Sequence, residues 1–442
     1  MATGDEHLGT AHAFANRDEE PGVNAAIRTG LLAGAAALVA GCPSTPAPSG
    51  DYANRTDATN GGAAYVGRAA CVQCHADIGA HHARSGHANA LRPITGVGPT
   101  TATGETIAEP PAGMSWNDIS WALGGFRKAA RFFGADGYFL ITGIEGVATQ
   151  YNLSGQVVGQ AGGYVPFEAD RTEPLPFTYD VFRRFTTGPK PFDASAPMFE
   201  EGRPGFQGTW SEPGVQCEAC HGPGGRHFSA LGSQVRIHRS AIFVDPDGSQ
   251  SCAMCHTSSF DPSDRTLHTA DGYLAPFQQA AELKASGAHA AFACTVCHDP
   301  HASIATERAT AIRNDCRACH ADMNMALHAG KVFRRQDGYV EPLTCESCHM
   351  SFGVKQFASA EFGADRAGDT RTHLFRINTN AETFADATAG DGTLRRDAAG
   401  LAGMTVDRVC MRCHNEAVDG LFPLSLSRAA EIAPNVHLEF SP

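Results

Sequence analysis

The pattern Cys-x-x-Cys-His occurs seven times in 442 residues and takes fourteen of the fifteen cysteines. The copies are CVQCH (Cys71, Cys74, His75), CEACH (Cys217, Cys220, His221), CAMCH (Cys252, Cys255, His256) and CTVCH (Cys294, Cys297, His298). CRACH (Cys316, Cys319, His320), CESCH (Cys345, Cys348, His349) and CMRCH (Cys410, Cys413, His414) complete the set. Roughly 0.02 such motifs are expected by chance at these Cys and His frequencies. Two thiols three residues apart, with a histidine directly after, form the attachment pattern of c-type haem. The thiols add across the vinyl groups and the histidine is held beneath the iron. Zinc sites also use CxxC pairs, and cysteines also form disulfides. Neither chemistry asks for a histidine after every second cysteine. The motifs predict seven covalent haem c groups, each with its iron.

A chain organised around cofactors needs less of an ordinary core. Hydrophobic residues make up 42%, with 3 Trp and 8 Tyr against 48 Gly and 25 Pro. The expected fold is mainly α with much irregular structure, packed on haem, with a small β-rich insert before the second haem site. That insert falls in the longest gap, 141 residues between His75 and Cys217. There Phe126–Phe133, an Asp136-Gly137 turn and Tyr138–Thr142 read as a hairpin, and 148–153 and 163–168 as short strands. The other gaps are 30, 37, 17, 24 and 60 residues. The motifs from Cys217 to His349 must therefore lie close together. Asp271-Gly272-Tyr273 and Asp337-Gly338-Tyr339 read as turns, and Leu424–Ala433 as a helix.

The segments expected are a lipoprotein signal at 1–41, a flexible tether at 42–64, and a first haem segment at 65–115. The β-rich insert, with a degenerate haem site, follows at 116–207, and a six-haem region at 208–442. Gly30–Ala40 is a short apolar run after Arg28, too short for an ordinary membrane span. Val39-Ala40-Gly41-Cys42 looks like a lipobox, which makes Cys42 the lipidation site. Pro43, rather than Asp, follows it and leans towards outer-membrane sorting. Asp5, Glu6, Asp18, Glu19 and Glu20 are unusual ahead of such a run and suggest a start near Val23. Haem attachment outside the cytoplasm implies export, to the periplasm or the cell surface. Net charge is −13, which argues against nucleic acid as a partner. It fits docking to other redox proteins: cytochromes, quinol-oxidising complexes or an outer-membrane conduit.

Eleven histidines remain beyond the leader and the seven motif histidines. Each haem iron takes a sixth ligand, and a second histidine makes a low-potential carrier. Local context ranks His87, His227 and His301 first, then His289, His328 and His373, then His437. His81, His82, His238 and His268 read as non-ligating. Met323, Met350 and Met404 read as packing residues. No sequence pattern pairs a distal histidine with its motif.

These contexts resemble the exported multihaem c-type cytochromes. The resemblance rests on Tyr65-Val66-Gly67 before the first motif, GTW-x-EPGVQCEACHGPG-x-x-H at Gly208–His227, CHDPH at Cys297–His301 and GDTRTHLFRIN at Gly368–Asn378. It implies electron transfer, with His87, His227, His301 and His373 as distal ligands. Two places depart from the family pattern. Val181-Phe182-Arg183-Arg184-Phe185-Thr186-Thr187-Gly188 stands where relatives carry CxxCH followed by Thr-Thr-Gly. Pro276-Phe277-Gln278-Gln279 stands where they carry His-His-Glu-Gln. The expectation is one lost haem, its space packed by Val181, Phe182, Phe185 and Phe277; the alternative is an existing haem left five-coordinate. The leading function is electron transfer along a haem chain. The alternatives are an oxidoreductase acting on a small nitrogen or sulfur compound at one open haem, and a subunit of an extracellular conduit or cytochrome filament.

Overall fold

Seven Cys-x-x-Cys-His motifs interrupted by glycine and proline leave little room for long helices, and none forms among the described residues. The computed structural model describes residues 54–154, 162–193, 195, 202–231, 234–325, 328–334, 340–359, 367–415 and 421–438. The signal segment, Cys42, the first part of the tether and Asp337-Gly338-Tyr339 lie outside them. The longest α-helix described, Ala76–Ala83, has 8 residues. Strands occupy about as many described residues as α-helices, so the expected predominance of helix is corrected. Motif turns and frequent glycine break helical periodicity before a second turn can add to the first.

The largest sheet has five antiparallel strands in chain order: β1 (Leu91–Pro93), β2 (Ile119–Gly124), β3 (Ala129–Gly134), β4 (Gln150–Asn152) and β5 (Gly163–Val165). It begins inside the expected first haem segment, ahead of residue 116. Gly124 and Gly125, with φ of 75° and 73°, turn β2 into β3 in the left-handed region that glycine tolerates. Sequence reading missed β2 as the main partner of β3. The expected second arm, Tyr138–Thr142, touches β3 only through the Phe133–Phe139 bridge and then enters the helix Thr142–Glu145.

Both faces of this sheet are covered, because alternate side chains enter different cores. Ala122, Ala130 and Phe132 join Ile107, Trp116, Ile119, Leu140 and Leu153 on one side. Leu91, Leu123 and Phe133 join Phe139, Ile141, Phe167, Phe177, Phe182 and Phe206 on the other. Each fully buried phenylalanine contributes roughly 2–3 kcal/mol. A third core, with Leu267, Leu274, Val354, Leu374, Phe384 and Met404, packs against Cys348 and Cys410 and supports the last two motifs.

Residues 54–62 fall within the expected tether, yet they are bound to the fold. Asn54 N–H donates to the Ile242 carbonyl at 2.9 Å. Buried Asn60 donates to the carbonyls of His221 at 3.0 Å and Pro223 at 2.9 Å. The packed chain is thus under way by Asn54. Asp271 and Gly272, with φ of 52° and 78°, form the two-residue turn between Thr269–Ala270 and Tyr273–Leu274. The expected C-terminal helix spans Leu426–Ile432 and is capped by Ser425. No helix among the described residues is long and apolar enough to cross a membrane.

Candidate metal centres

The motif spacing suits one turn of helix, whose positions three and four apart share a face. Each motif lies on or at the end of a short helix: Arg68–Cys71, Cys217–His221, Gln250–Ala253, Cys294–Cys297, Cys316–Cys319, Cys345–His349 and Val406–Val409. The motif histidine N–H reaches back to the first cysteine carbonyl, at 3.0 Å for His75, 2.9 Å for His256, 3.0 Å for His298, 2.9 Å for His320 and 3.0 Å for His414. Asp315 caps the fifth motif by accepting from Ala318 N–H. Thr344 and Ser347 form a capping box on the sixth.

Thirteen motif cysteines are free, and no motif closes a bridge between its own two thiols. Cysteines of consecutive motifs are near neighbours. Cys71 lies beside Cys217, Cys252 beside Cys294 and Cys316 beside Cys345, near enough for each pair to perturb its thiols. Burial and then the charge of Cys255 push the Cys220 thiol up to about 11. Burial and the nearby Cys319 likewise raise Cys297, and burial and Cys348 push Cys410 up to about 12. This neighbourhood runs through all seven motifs in chain order, across the 141-residue gap as well.

Six of the seven motif histidines face one of the sequence-selected distal histidines, and His75 has His227 nearby. Ring centroids are 6.1 Å apart for His221 and His301, 6.2 Å for His256 and His87, and 6.1 Å for His298 and His373. They are 5.9 Å apart for His320 and His289, 5.8 Å for His349 and His437, and 6.2 Å for His414 and His328. His75 is lowered in pKa by burial, then by His227 and His221. Since His221 is matched with His301, His227 is left for His75. A direct hydrogen bond between imidazoles, with nitrogens about 2.9 Å apart, would bring ring centres to about 5 Å. A metal about 2 Å from each nitrogen, with about 1 Å more to each ring centre, puts them about 6 Å apart. The residues therefore fit an iron held between two imidazoles.

The other ring nitrogen is held in six of these fourteen histidines. Nδ1 of His221 lies 2.8 Å from the Phe243 carbonyl, that of His349 2.7 Å from Phe375 and that of His414 3.0 Å from Phe422. His227 meets the His238 carbonyl at 3.0 Å and His437 the Asn324 carbonyl at 2.6 Å. His256 meets Oε1 of Gln279 at 2.9 Å. A carbonyl can only accept, so Nδ1 carries the proton and Nε2 keeps a free lone pair. Burial also holds the rings neutral: His87 falls to about 4 and His373 to about 3. His87 and Cys220 are enclosed by protein yet keep much of their surface uncovered.

The remaining residues fall elsewhere. His81 is bound to Glu307 at 2.8 Å, buried His82 lies near the His221 and His301 pair, and Met404 sits in the third core. Among the described residues no group of three or more His, Cys, Asp or Glu could hold a bare metal ion. The histidines instead come in twos. Sequence reading assigned no role to the carboxylates that lock the first two motifs together. Glu218 accepts from the N–H groups of Val66, Gly67 and Gly224 at 2.9, 2.8 and 2.6 Å. Glu212 accepts from Arg68 N–H with both oxygens at 2.9 Å. Their presence inside the EPGVQCE string was the available signal. Arg127 is lowered in pKa by burial, then by the nearby Arg308 and Arg371, a cationic cluster suited to carboxylates.

No protein-family model matches this chain, and no curated protein matches it. Three solved structures are similar. The octahaem sulfite reductase MccA (form II) of Wolinella succinogenes has a TM-score of 0.48 at 16% identity, over 84% of this chain and 70% of that one. The outer cell wall cytochrome OcwA has a TM-score of 0.43 at 16% identity, over 83% and 86%. The undecahaem cytochrome from the S-layer of Carboxydothermus ferrireducens has a TM-score of 0.30 at 14% identity, over 73% and 53%. These likenesses are too distant to assign an activity or a partner.

Proposed function

We propose that this protein is an exported electron carrier with seven covalent c-type haems, each iron held between two histidines. The observation that carries the proposal is the ring separation of 5.8–6.2 Å in six histidine pairs. Bound haem would supply one-electron exchange between ferric and ferrous iron. The chain's part is to fix geometry: motif cysteines would hold attachment, Nδ1 acceptors orient six of the imidazoles, and burial favours the neutral ring. Because cysteines of consecutive motifs are near neighbours, groups attached to them would lie side by side, an arrangement suited to electron passage from one end of the chain to the other.

An oxidoreductase would need one iron with an open sixth position, and six motif histidines here face a second histidine. The lipid anchor at Cys42, outer-membrane sorting and docking to other redox proteins belong to the same proposal. Electron paramagnetic resonance of the oxidised, mature protein tests it. Low-spin signals alone are expected; a high-spin ferric signal near one equivalent would replace the carrier by an enzyme.

A further inference from the structure

The segment Val181–Phe185 has the spacing of an attachment motif without its chemistry: Val181, Arg184 and Phe185 stand in place of Cys, Cys and His. Its backbone follows the intact motifs. Arg184 N–H donates to the Val181 carbonyl at 3.3 Å, as Cys74 does to Cys71 at 3.2 Å and Cys255 to Cys252 at 3.1 Å. Thr186, directly after Phe185, donates its hydroxyl back to the Phe182 carbonyl at 2.9 Å. In the third motif Thr257, directly after His256, makes the same bond to Ala253 at 2.9 Å. In the seventh, Asn415 after His414 does so to Met411 at 2.9 Å.

Across from this segment stands Phe277, whose ring centre is 5.9 Å from that of Phe185. That is the separation found in the six histidine pairs. The surrounding backbone is strained. Phe277 and Phe260 both have φ of 61°, a left-handed conformation that costs a bulky residue about 1–2 kcal/mol. Both are brought onto the same guanidinium: Arg184 lies 3.7 Å from the Phe260 ring centre and 5.0 Å from that of Phe277. Arg183 lies 3.1 Å over Phe260. Arg184 also donates to the carbonyls of Cys255, Thr257 and Ser258, at the end of the third motif. Ordinary packing accounts for the cation–π contacts and for the ring separation. It does not account for a motif-shaped turn with a left-handed phenylalanine across from its histidine position.

We propose that this is a latent eighth haem position, plugged by Arg184 and the rings of Phe185, Phe260 and Phe277. Two of the four packing residues expected from sequence are not part of the plug. Val181 is 39% exposed, and Phe182 turns into the sheet's core. The plug abuts the third motif and replaces a redox centre there by an insulating cluster. Electrons then have no side branch at that motif.

The inference rests on the seven-haem reading, and the parent protein serves as its control. Restoring the site with V181C, R184C, F185H and F277H together, in a host that attaches c-type haem, is expected to raise the count from seven to eight by intact mass and pyridine haemochrome, with all eight low-spin. A second variant, R184A/F185H/F277H, adds no thiols. As purified full chain it is expected to bind one equivalent of added haemin with low-spin bands, where the parent binds none. A parent without haem would overturn the carrier reading itself. A parent with seven and neither variant taking up an eighth would overturn the latent site alone.

Discussion

The sixth and seventh motifs are joined by one buried ion pair, and removing its carboxylate should be severe. Glu341 and Arg412 are 4% and 3% exposed. Arg412, inside the seventh motif, donates to Glu341 at 2.7 and 3.1 Å and to the Ser347 carbonyl at 3.3 Å. Ser347, inside the sixth motif, donates its hydroxyl to Glu341 at 2.8 Å, and Arg371 adds a contact at 2.9 Å. Glu341→Gln keeps the shape but leaves the Arg412 guanidinium buried beside a neutral amide. Stranding one partner of a buried pair costs about 3–5 kcal/mol. Removing both charges with E341M/R412M should recover at least about 2 kcal/mol of that, because apolar replacement of a buried pair is often close to neutral. Urea unfolding of E341Q, E341M, R412M and E341M/R412M, followed by circular dichroism and extrapolated linearly, measures each against the parent. The reasoning fails if E341Q lies within about 1 kcal/mol of the parent, or if the double variant costs as much as the sum of its parts.

The same carboxylate sets a pH dependence. Burial pushes Glu341 up, but Arg412 and Arg371 and the bonds from Arg412 and Ser347 outweigh it, and the group titrates at about 2 against an ordinary 4.5. A depressed folded pKa adds stability above the unfolded value and loses it as pH falls towards the folded one. About 3 kcal/mol should therefore disappear between pH 4.5 and 2 in the parent, and this component should be missing from E341Q. His301→Ala should leave His221, now 6.1 Å from His301, without a partner across the iron. One haem in seven should turn high-spin in electron paramagnetic resonance; an unchanged low-spin spectrum would remove His301 from the ligand set. Glu218→Ala strands three N–H groups at a cost of about 3 kcal/mol. Hydrogen exchange at Val66 and Gly67 should accelerate by about 100-fold, and equal rates in parent and variant would deny Glu218 its role.

Six of the seven histidines that local context selects as distal ligands lie ring to ring with a motif histidine. Their pairing was not legible. His87 faces His256 rather than the neighbouring His75, since partners are brought together by tertiary packing and not by sequence distance. The strands at Gln150–Asn152 and Gly163–Val165 could be read from their turns. The pairing of β2 with β3 could not, because both strands are buried on both faces and lose the alternation that marks a half-buried strand. The anchoring of Asn54 and Asn60 was hidden for another reason: small polar residues that bind backbone carbonyls look like linker composition. Phe277 and Phe185 were flagged by what they replace, but only the fold shows them meeting, with two arginines against the same aromatic cluster.

The most direct test is a count of covalent haems on the mature chain, by intact mass together with pyridine haemochrome absorbance. Seven per polypeptide, resistant to acid-acetone extraction, is the expected result, with Cys74 among the thioether-bearing residues. A colourless protein, or one whose haem is extracted by acid-acetone, would contradict the account.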